Sequence, residues 1–118
     1  TGEPRAISPI NEVENVLKYA LTEIRAEKIL LGQNLYGYDW TLPFIAGESK
    51  ARAISPQQAV QIAREHFAHI QYDDTAQAPY FEYTDDYRKR HIVWFEDARS
   101  IQAKFELIER YQLLGIAY

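Results

Sequence analysis

Cysteine and methionine are both absent from the 118 residues, which removes disulfide frameworks, thiolate zinc sites and cysteine nucleophiles while leaving the compartment open. A basic excess is lacking too. Lys and Arg number 13 against 17 Asp and Glu, for a net charge of −4 and a pI of about 5.3. That balance carries no electrostatic footprint for nucleic acid or for an anionic membrane. No apolar run approaches the ~20 residues of a membrane span. Nothing at the start reads as a signal peptide, and with Thr1 in place of an initiator Met the sequence is expected to be an internal excerpt of a longer polypeptide. What is present is 47% hydrophobic and 14% aromatic. That is enough for one compact domain with a real core, and too much for disorder.

Chemistry-bearing patterns are scarce. The histidines offer one close pair, His66 and His69, without a neighbouring cysteine or a His-Glu-x-x-His pattern, so neither a metal site nor a cofactor is expected. No serine lies in a Gly-x-Ser-x-Gly elbow, and Gly32, Gly37 and Gly47 are too dispersed to cradle a phosphate. The carboxylate pairs Asp73-Asp74, Asp85-Asp86 and Glu96-Asp97 are adjacent residues, which point to opposite faces on a strand and are solvated in a turn.

Periodicity gives the organisation. Arg5-Ala6-Ile7-Ser8-Pro9 and Arg52-Ala53-Ile54-Ser55-Pro56 each place a serine to cap a helix and a proline at its first position. Beyond the first, Ile10, Val13, Leu17, Leu21 and Ile24 predict an amphipathic helix of about four turns. Beyond the second, Ala59, Val60, Ile62, Ala63 and Phe67 predict a shorter one. Asp97 is placed to cap a third, with Ile101, Phe105, Ile108 and Tyr111 on one face.

The apolar runs from Ile29 to Tyr36 and from Leu113 to Tyr118 read as buried parallel strands, the second cut off at its end. Ile70 to Asp73, Tyr80 to Tyr83 and His91 to Phe95 suit a small antiparallel sheet, with Asp85 to Lys89 as a polar hairpin loop. The expectation is a strand–helix–strand unit with a small α+β domain inserted into its crossover.

The most site-like segment is Leu35-Tyr36-Gly37-Tyr38-Asp39-Trp40, where a buried strand ends in three aromatics, a carboxylate and a glycine. Aromatic rings at such a strand end suit the apolar C–H faces of sugars, and they equally suit a core beneath the next lobe. Trp94 is expected in the core of the small sheet.

From Lys28 through Tyr36-Gly37-Tyr38-Asp39-Trp40-Thr41-Leu42-Pro43 the sequence resembles the seventh barrel strand of family 18 glycoside hydrolases, specifically bacterial spore-cortex and cell-wall N-acetylglucosaminidases. The resemblance continues through Arg52 to Ala59, Ala76 to Phe81 and Val93 to Phe105. It implies an α+β chain: a small insertion domain of one helix and an antiparallel sheet, within a two-strand, two-helix excerpt of a TIM (β/α)8 barrel. Residues 1–42 would hold barrel helix six (Asn11 to Ile24) and strand seven (Ile29 to Tyr36), and 43–95 the chitinase insertion domain. Residues 96–118 would hold helix seven (Ala98 to Tyr111) and the start of strand eight (Leu114 to Tyr118).

Such enzymes hydrolyse β-1,4 linkages next to N-acetylglucosamine with a glutamic acid as general acid and the substrate's own acetamido carbonyl as nucleophile. That acid closes an Asp-x-x-Asp-x-Asp-x-Glu motif on the fourth strand, and no such motif occurs here. The sixth-strand tyrosine motif would precede Thr1, and the tryptophan of the cleft floor would follow Tyr118. By resemblance, then, no catalytic residue is expected in this chain. Gln33, Tyr38, Trp40 and Arg52 are the expected substrate-binding residues, and an N-acetylglucosamine-containing glycan is the partner, in the spore or cell wall, outside the cell. The alternative is a non-catalytic carbohydrate-binding or spore-coat interaction module. The chain by itself is expected to oligomerise through open strand edges.

Overall fold

The computed structural model describes residues 2–33 and 35–117. Thr1, Asn34 and Tyr118 lie outside the described residues, and with them part of both expected parallel strands. In chain order the elements are α1 (Ile10–Ala20), β1 (Leu30–Gly32), β2 (Gly37–Thr41), β3 (Arg52–Ile54), α2 (Pro56–Glu65), β4 (Gln71–Asp73), β5 (Ala78–Thr84), β6 (Arg90–Trp94), α3 (Ala98–Tyr111) and β7 (Gly115–Ala117). The chain is α+β, and its strands form two sheets.

One sheet is the parallel pair β1–β7, with Leu30, Leu31 and Gly32 opposite Gly115, Ile116 and Ala117. Leu114 N–H donates to Ile29 at 2.9 Å and Gln33 N–H to Ala117 at 2.8 Å, extending the ladder at both ends. Helices α1 and α3 pack on this pair through Leu17, Leu31, Leu107 and Leu113, flanked by Ile10, Val13 and Leu21. The three-or-four spacing of those residues along α1 gives it the apolar face that this core requires.

The second sheet is antiparallel, in the order β3-β2-β6-β5-β4. Helix α2 covers one face, and Ile54, Ala59, Ala63, Phe81, Val93 and Phe95 form the core between them. Ser55 caps α2 reciprocally: its Oγ accepts from Gln58 N–H at 3.1 Å, and Gln58 Oε1 accepts from Ser55 N–H at 2.8 Å. Asp97 and Ser100 form the same box at the start of α3. Between the sheet and α3, Glu96 and Lys104 are buried together, Nζ lying 3.4 Å from Oε1.

Several expectations change. The strand expected from Ile29 to Tyr36 stops at Gly32. Gly37–Thr41 then forms a strand of the antiparallel sheet, paired with β3 and β6, although the resemblance grouped it with the barrel segment 1–42. Gly37 permits this crossing, because a Cβ there would lie 2.6 Å from Phe95 Cβ and 2.7 Å from the Trp94 carbonyl oxygen. Arg52–Ile54, read as the lead-in to a helix, is a strand ahead of the Ser55 cap.

The first Ser-Pro signature behaves differently. Pro9, not Ser8, occupies the cap position of α1, with no side-chain cap bond. Ile10 N–H donates instead to Ala76 O, 2.9 Å away in the β4–β5 turn, so the start of α1 is tied to the antiparallel sheet. Helix α1 ends at Ala20, short of Ile24, where Thr22 Oγ donates to the Tyr19 carbonyl at 2.7 Å.

Candidate functional site

Strand alternation sorts β2 into two faces: Tyr38 and Trp40 on one, Gly37 and Asp39 on the other. Register carries each face across the sheet. Tyr38 lies opposite Trp94, and Trp94 opposite Tyr80, so these aromatics share the face away from α2. Tyr80 and Trp94 stack with centroids 4.5 Å apart and planes at 24°. Tyr36, Tyr38 and Trp40 meet edge to face at 5.4 and 5.5 Å. Tyr38, Tyr80 and Trp94 are half-buried, a state in which a ring is both held and presented. Trp94 therefore lies on the opposite face from the core where it was expected.

The expected binding residues separate into three places. Tyr38 and Trp40 come together on the aromatic face, where with Tyr36 they line a groove of about 830 Å³ that runs between β2, α1 and β1. Trp40 is 3% exposed, and its Nε1 donates to Gly2 O at 3.0 Å, so its ring backs Tyr38 and holds the N-terminal segment. Gln33 is buried just beyond the carboxyl end of β1, in the other sheet. Arg52 lies opposite Asp39 in the β2–β3 register, on the α2 face. There its Nη2 lies 3.4 Å from Asp39 Oδ2 while most of the side chain meets solvent.

Behind the aromatic face lies a cluster that sequence reasoning missed. Asp39 is 3% exposed, and its carboxylate accepts from Tyr83 O–H at 2.5 Å and from His91 Nδ1 at 2.8 Å. His91 Nε2 lies 2.7 Å from Asp85 Oδ2. The His91 bond holds the Asp85 carboxyl below its ordinary range, helped by the amides of Lys89 and Tyr87. Burial first, and the bond to Asp39 second, push the Tyr83 hydroxyl well above its ordinary range. The only signal in the sequence was the alternation Tyr38-Asp39-Trp40, which puts a carboxylate on the face opposite two rings.

Two of the three adjacent carboxylate pairs contribute a capping residue. Asp73 caps the β4–β5 turn by accepting from Thr75 and Ala76 N–H, and Asp97 caps α3. His66 Nδ1 lies 3.0 Å from the Ile62 carbonyl oxygen. Among the described residues no group of three or more His, Cys, Asp or Glu could hold a metal ion, and no helix is long and apolar enough to cross a membrane.

Comparison with known proteins agrees with this architecture. The cortical fragment-lytic enzyme of Bacillus subtilis (strain 168) is 64% identical over 117 residues, covering 99% of this chain and 27% of the relative. The spore cortex-lytic enzyme SleL of Bacillus megaterium QM B1551, known as a crystal structure, superposes with a TM-score of 0.97 at 57% identity, covering 99% of this chain and 27% of that one. A chitinase from Chromobacterium violaceum ATCC 12472 superposes with a TM-score of 0.87 at 29% identity, over 98% of this chain and 35% of its own. The chain thus spans about a quarter to a third of the length of the relatives it matches. The family model described as glycosyl hydrolases family 18 matches residues 3–118, and the chain belongs to that family.

Proposed function

We propose that this chain supplies one wall of the substrate cleft in a family 18 glycosidase that cleaves β-1,4 linkages next to N-acetylglucosamine in spore-cortex peptidoglycan or a chitin-like glycan. The observation that carries the reading is the aromatic row Tyr38, Trp94 and Tyr80 on the face of the antiparallel sheet away from α2. Such rings match the C–H faces of successive sugar units. The cortex-lytic names of the similar proteins support the choice of polymer.

In this reading β1, β7, α1 and α3 belong to the barrel, and 43–95 is the chitinase insertion domain, whose sheet β2 joins. Tyr38 touches the glycan, Trp40 backs it, Gln33 sits at the barrel mouth, and Arg52 acts through Asp39. The general acid is contributed by a part of the protein beyond these residues. Glycan cleavage in the spore or cell wall, outside the cell, is the corresponding location. Strands β1 and β7 pair only with each other among the described residues. We assign their outer edges to the remaining barrel strands, and for the isolated chain we expect self-association, seen as a light-scattering mass above 13.8 kDa.

The test is digestion of cortex peptidoglycan fragments by the full-length protein and by the 118-residue chain alone. Release of N-acetylglucosamine reducing ends by the first and none by the second is expected. Turnover by the isolated chain would sink the wall assignment. Absence of an Asp-x-x-Asp-x-Asp-x-Glu motif in the rest of the polypeptide, together with glycan binding and no turnover, would favour the carbohydrate-binding or spore-coat module. That reading draws on the lack of the motif in these residues.

A further inference from the structure

The Asp39 carboxylate ties together four strands. It sits on β2, accepts from His91 on β6 at 2.8 Å and from Tyr83 on β5 at 2.5 Å, and has Arg52 of β3 at 3.4 Å. Its side chain is 2% exposed, a burial that hydrogen bonding from charged and neutral donors must offset. His91 carries the connection onward, its Nε2 lying 2.7 Å from Asp85 Oδ2. Asp85 Oδ1 meanwhile accepts from the amides of Tyr87 and Lys89 at 2.8 and 3.0 Å, closing the β5–β6 turn. The His91 ring lies flat on Tyr83, centroids 4.5 Å apart and planes at 13°. The two nitrogens of one imidazole thus link a carboxylate on β2 to a carboxylate in the β5–β6 turn.

The strands joined by this bridge are those that carry the aromatic row. Tyr38 follows Gly37 on β2, one residue before Asp39, while Trp94 lies on β6 and Tyr80 on β5. Strand β2 has five residues, and its outer neighbour β3 has three. Four residues of β2 pair with β6, and a shift or twist of β2 against β6 would change the spacing of the rings on the far face.

We propose that the Asp39–His91–Asp85 bridge is a positioning device for glycan recognition, fixing from behind the spacing at which Tyr38, Trp94 and Tyr80 meet successive sugar rings. The proposal rests on the cleft-wall reading above. His91 and Asp85 touch no sugar themselves. Their effect grows with ligand length, because a two-sugar ligand meets at most two of the three rings and one spacing, whereas a longer ligand meets all three.

The experiment uses the full-length protein with N-acetylglucosamine oligomers of two and five units. Calorimetric Kd, KM and kcat are measured for His91→Gln, which keeps a single donor, and Asp85→Ala, which removes the second acceptor. The expected result is a rise of about threefold to tenfold in Kd and KM for the five-unit ligand, a smaller change for the two-unit ligand, and partial recovery in His91→Arg, whose fork can span both carboxylates. Equal penalties at both lengths, or none, in the folded variants would overturn it. Asp85→Asn, the milder change, decides the matter if His91→Gln does not fold. Tyr80→Ala separates the two ideas. If it weakens five-unit binding while the bridge variants do not, positioning falls and the glycan face stands; if none of these variants weakens binding, both fall.

Discussion

Trp94 and Tyr80 stack across neighbouring antiparallel strands, at 4.5 Å and 24°, on the sheet face away from α2. Neither ring is needed to fill the core beneath α2, where Phe81 and Val93 from the same strands are completely buried. The pair lies outside that core, and under the cleft-wall reading proposed above it meets the glycan. In the full-length protein, Trp94→Ala should weaken binding of N-acetylglucosamine oligomers about fivefold to tenfold, a cost of about 1 kcal/mol. Trp94→Phe should recover part of it. Calorimetric titration checks this, and unchanged affinity in a normally folded Trp94→Ala variant would return the ring to a packing role.

Gly37 is where the chain passes from the parallel pair to the antiparallel sheet. An added Cβ would meet the Phe95 Cα at 3.0 Å as well as the closer Phe95 Cβ and Trp94 carbonyl oxygen, and two of these three atoms are backbone. Backbone cannot swing aside as a side-chain tip can, so Gly37→Ala should force β2 away from β6 at a cost of about 1–3 kcal/mol. A lower Tm of the full-length protein, with loss of amide protection in β2, is the expected outcome.

The two Ser-Pro signatures give a contrast testable at single atoms. Ser55 and Gln58 exchange hydrogen bonds at the start of α2, whereas α1 has Pro9 at its cap position and no side-chain cap bond. Ser55→Ala should therefore cost about 1 kcal/mol, and Ser8→Ala should stay within about 0.5 kcal/mol of the parent. Thermal melts of the two variants side by side check it. Equal losses would mean that Ser8 caps α1 in solution.

That contrast shows where the sequence is legible and where it is not. Local rules read α1, the Asp97 cap of α3 and the Asp85–Lys89 hairpin, because each depends on residues within a turn or two of one another. They misread Ser8, because the first amide of α1 is satisfied by Ala76, which no spacing in the sequence announces. Strand β2 was hidden for a related reason. The segment from Ile29 to Trp40 reads as one strand and its aromatic end, and the break between sheets depends on Gly37 resting against Phe95. Tyr38 and Trp40 were legible as aromatics of one face. Asp39, Tyr83, Asp85 and His91 were not, since only the strand register gathers them.

Glu96 and Lys104 form a pair in which neither side chain is more than 1% exposed, at the passage from β6 into α3. The geometry is not tight, Nζ lying 3.4 and 3.5 Å from the two carboxylate oxygens. Burial is the largest influence on Glu96 and raises its pKa above the ordinary 4.5, while Ser100 and Lys104 pull it back. Lys104→Met removes the pulling charge and leaves the buried carboxylate with the Ser100 hydroxyl but no cation, where breaking a buried pair costs about 3–5 kcal/mol. The sign of its pH dependence follows from the raised value. A carboxyl whose folded pKa lies above the unfolded one favours folding fully below the unfolded value of 4.5, and that contribution is lost as pH rises through the folded value. The deficit of Lys104→Met should therefore be largest near neutrality and shrink as pH falls through the raised folded value of Glu96, where the carboxylate takes up its proton. The double variant Lys104→Met/Glu96→Gln should recover most of the neutral-pH loss, because neither buried position then carries a charge. Thermal unfolding of the full-length protein across this pH range provides the measurement. A Lys104→Met deficit that stays constant with pH would mean that lost packing of the lysine stem, and not the stranded carboxylate, sets the cost.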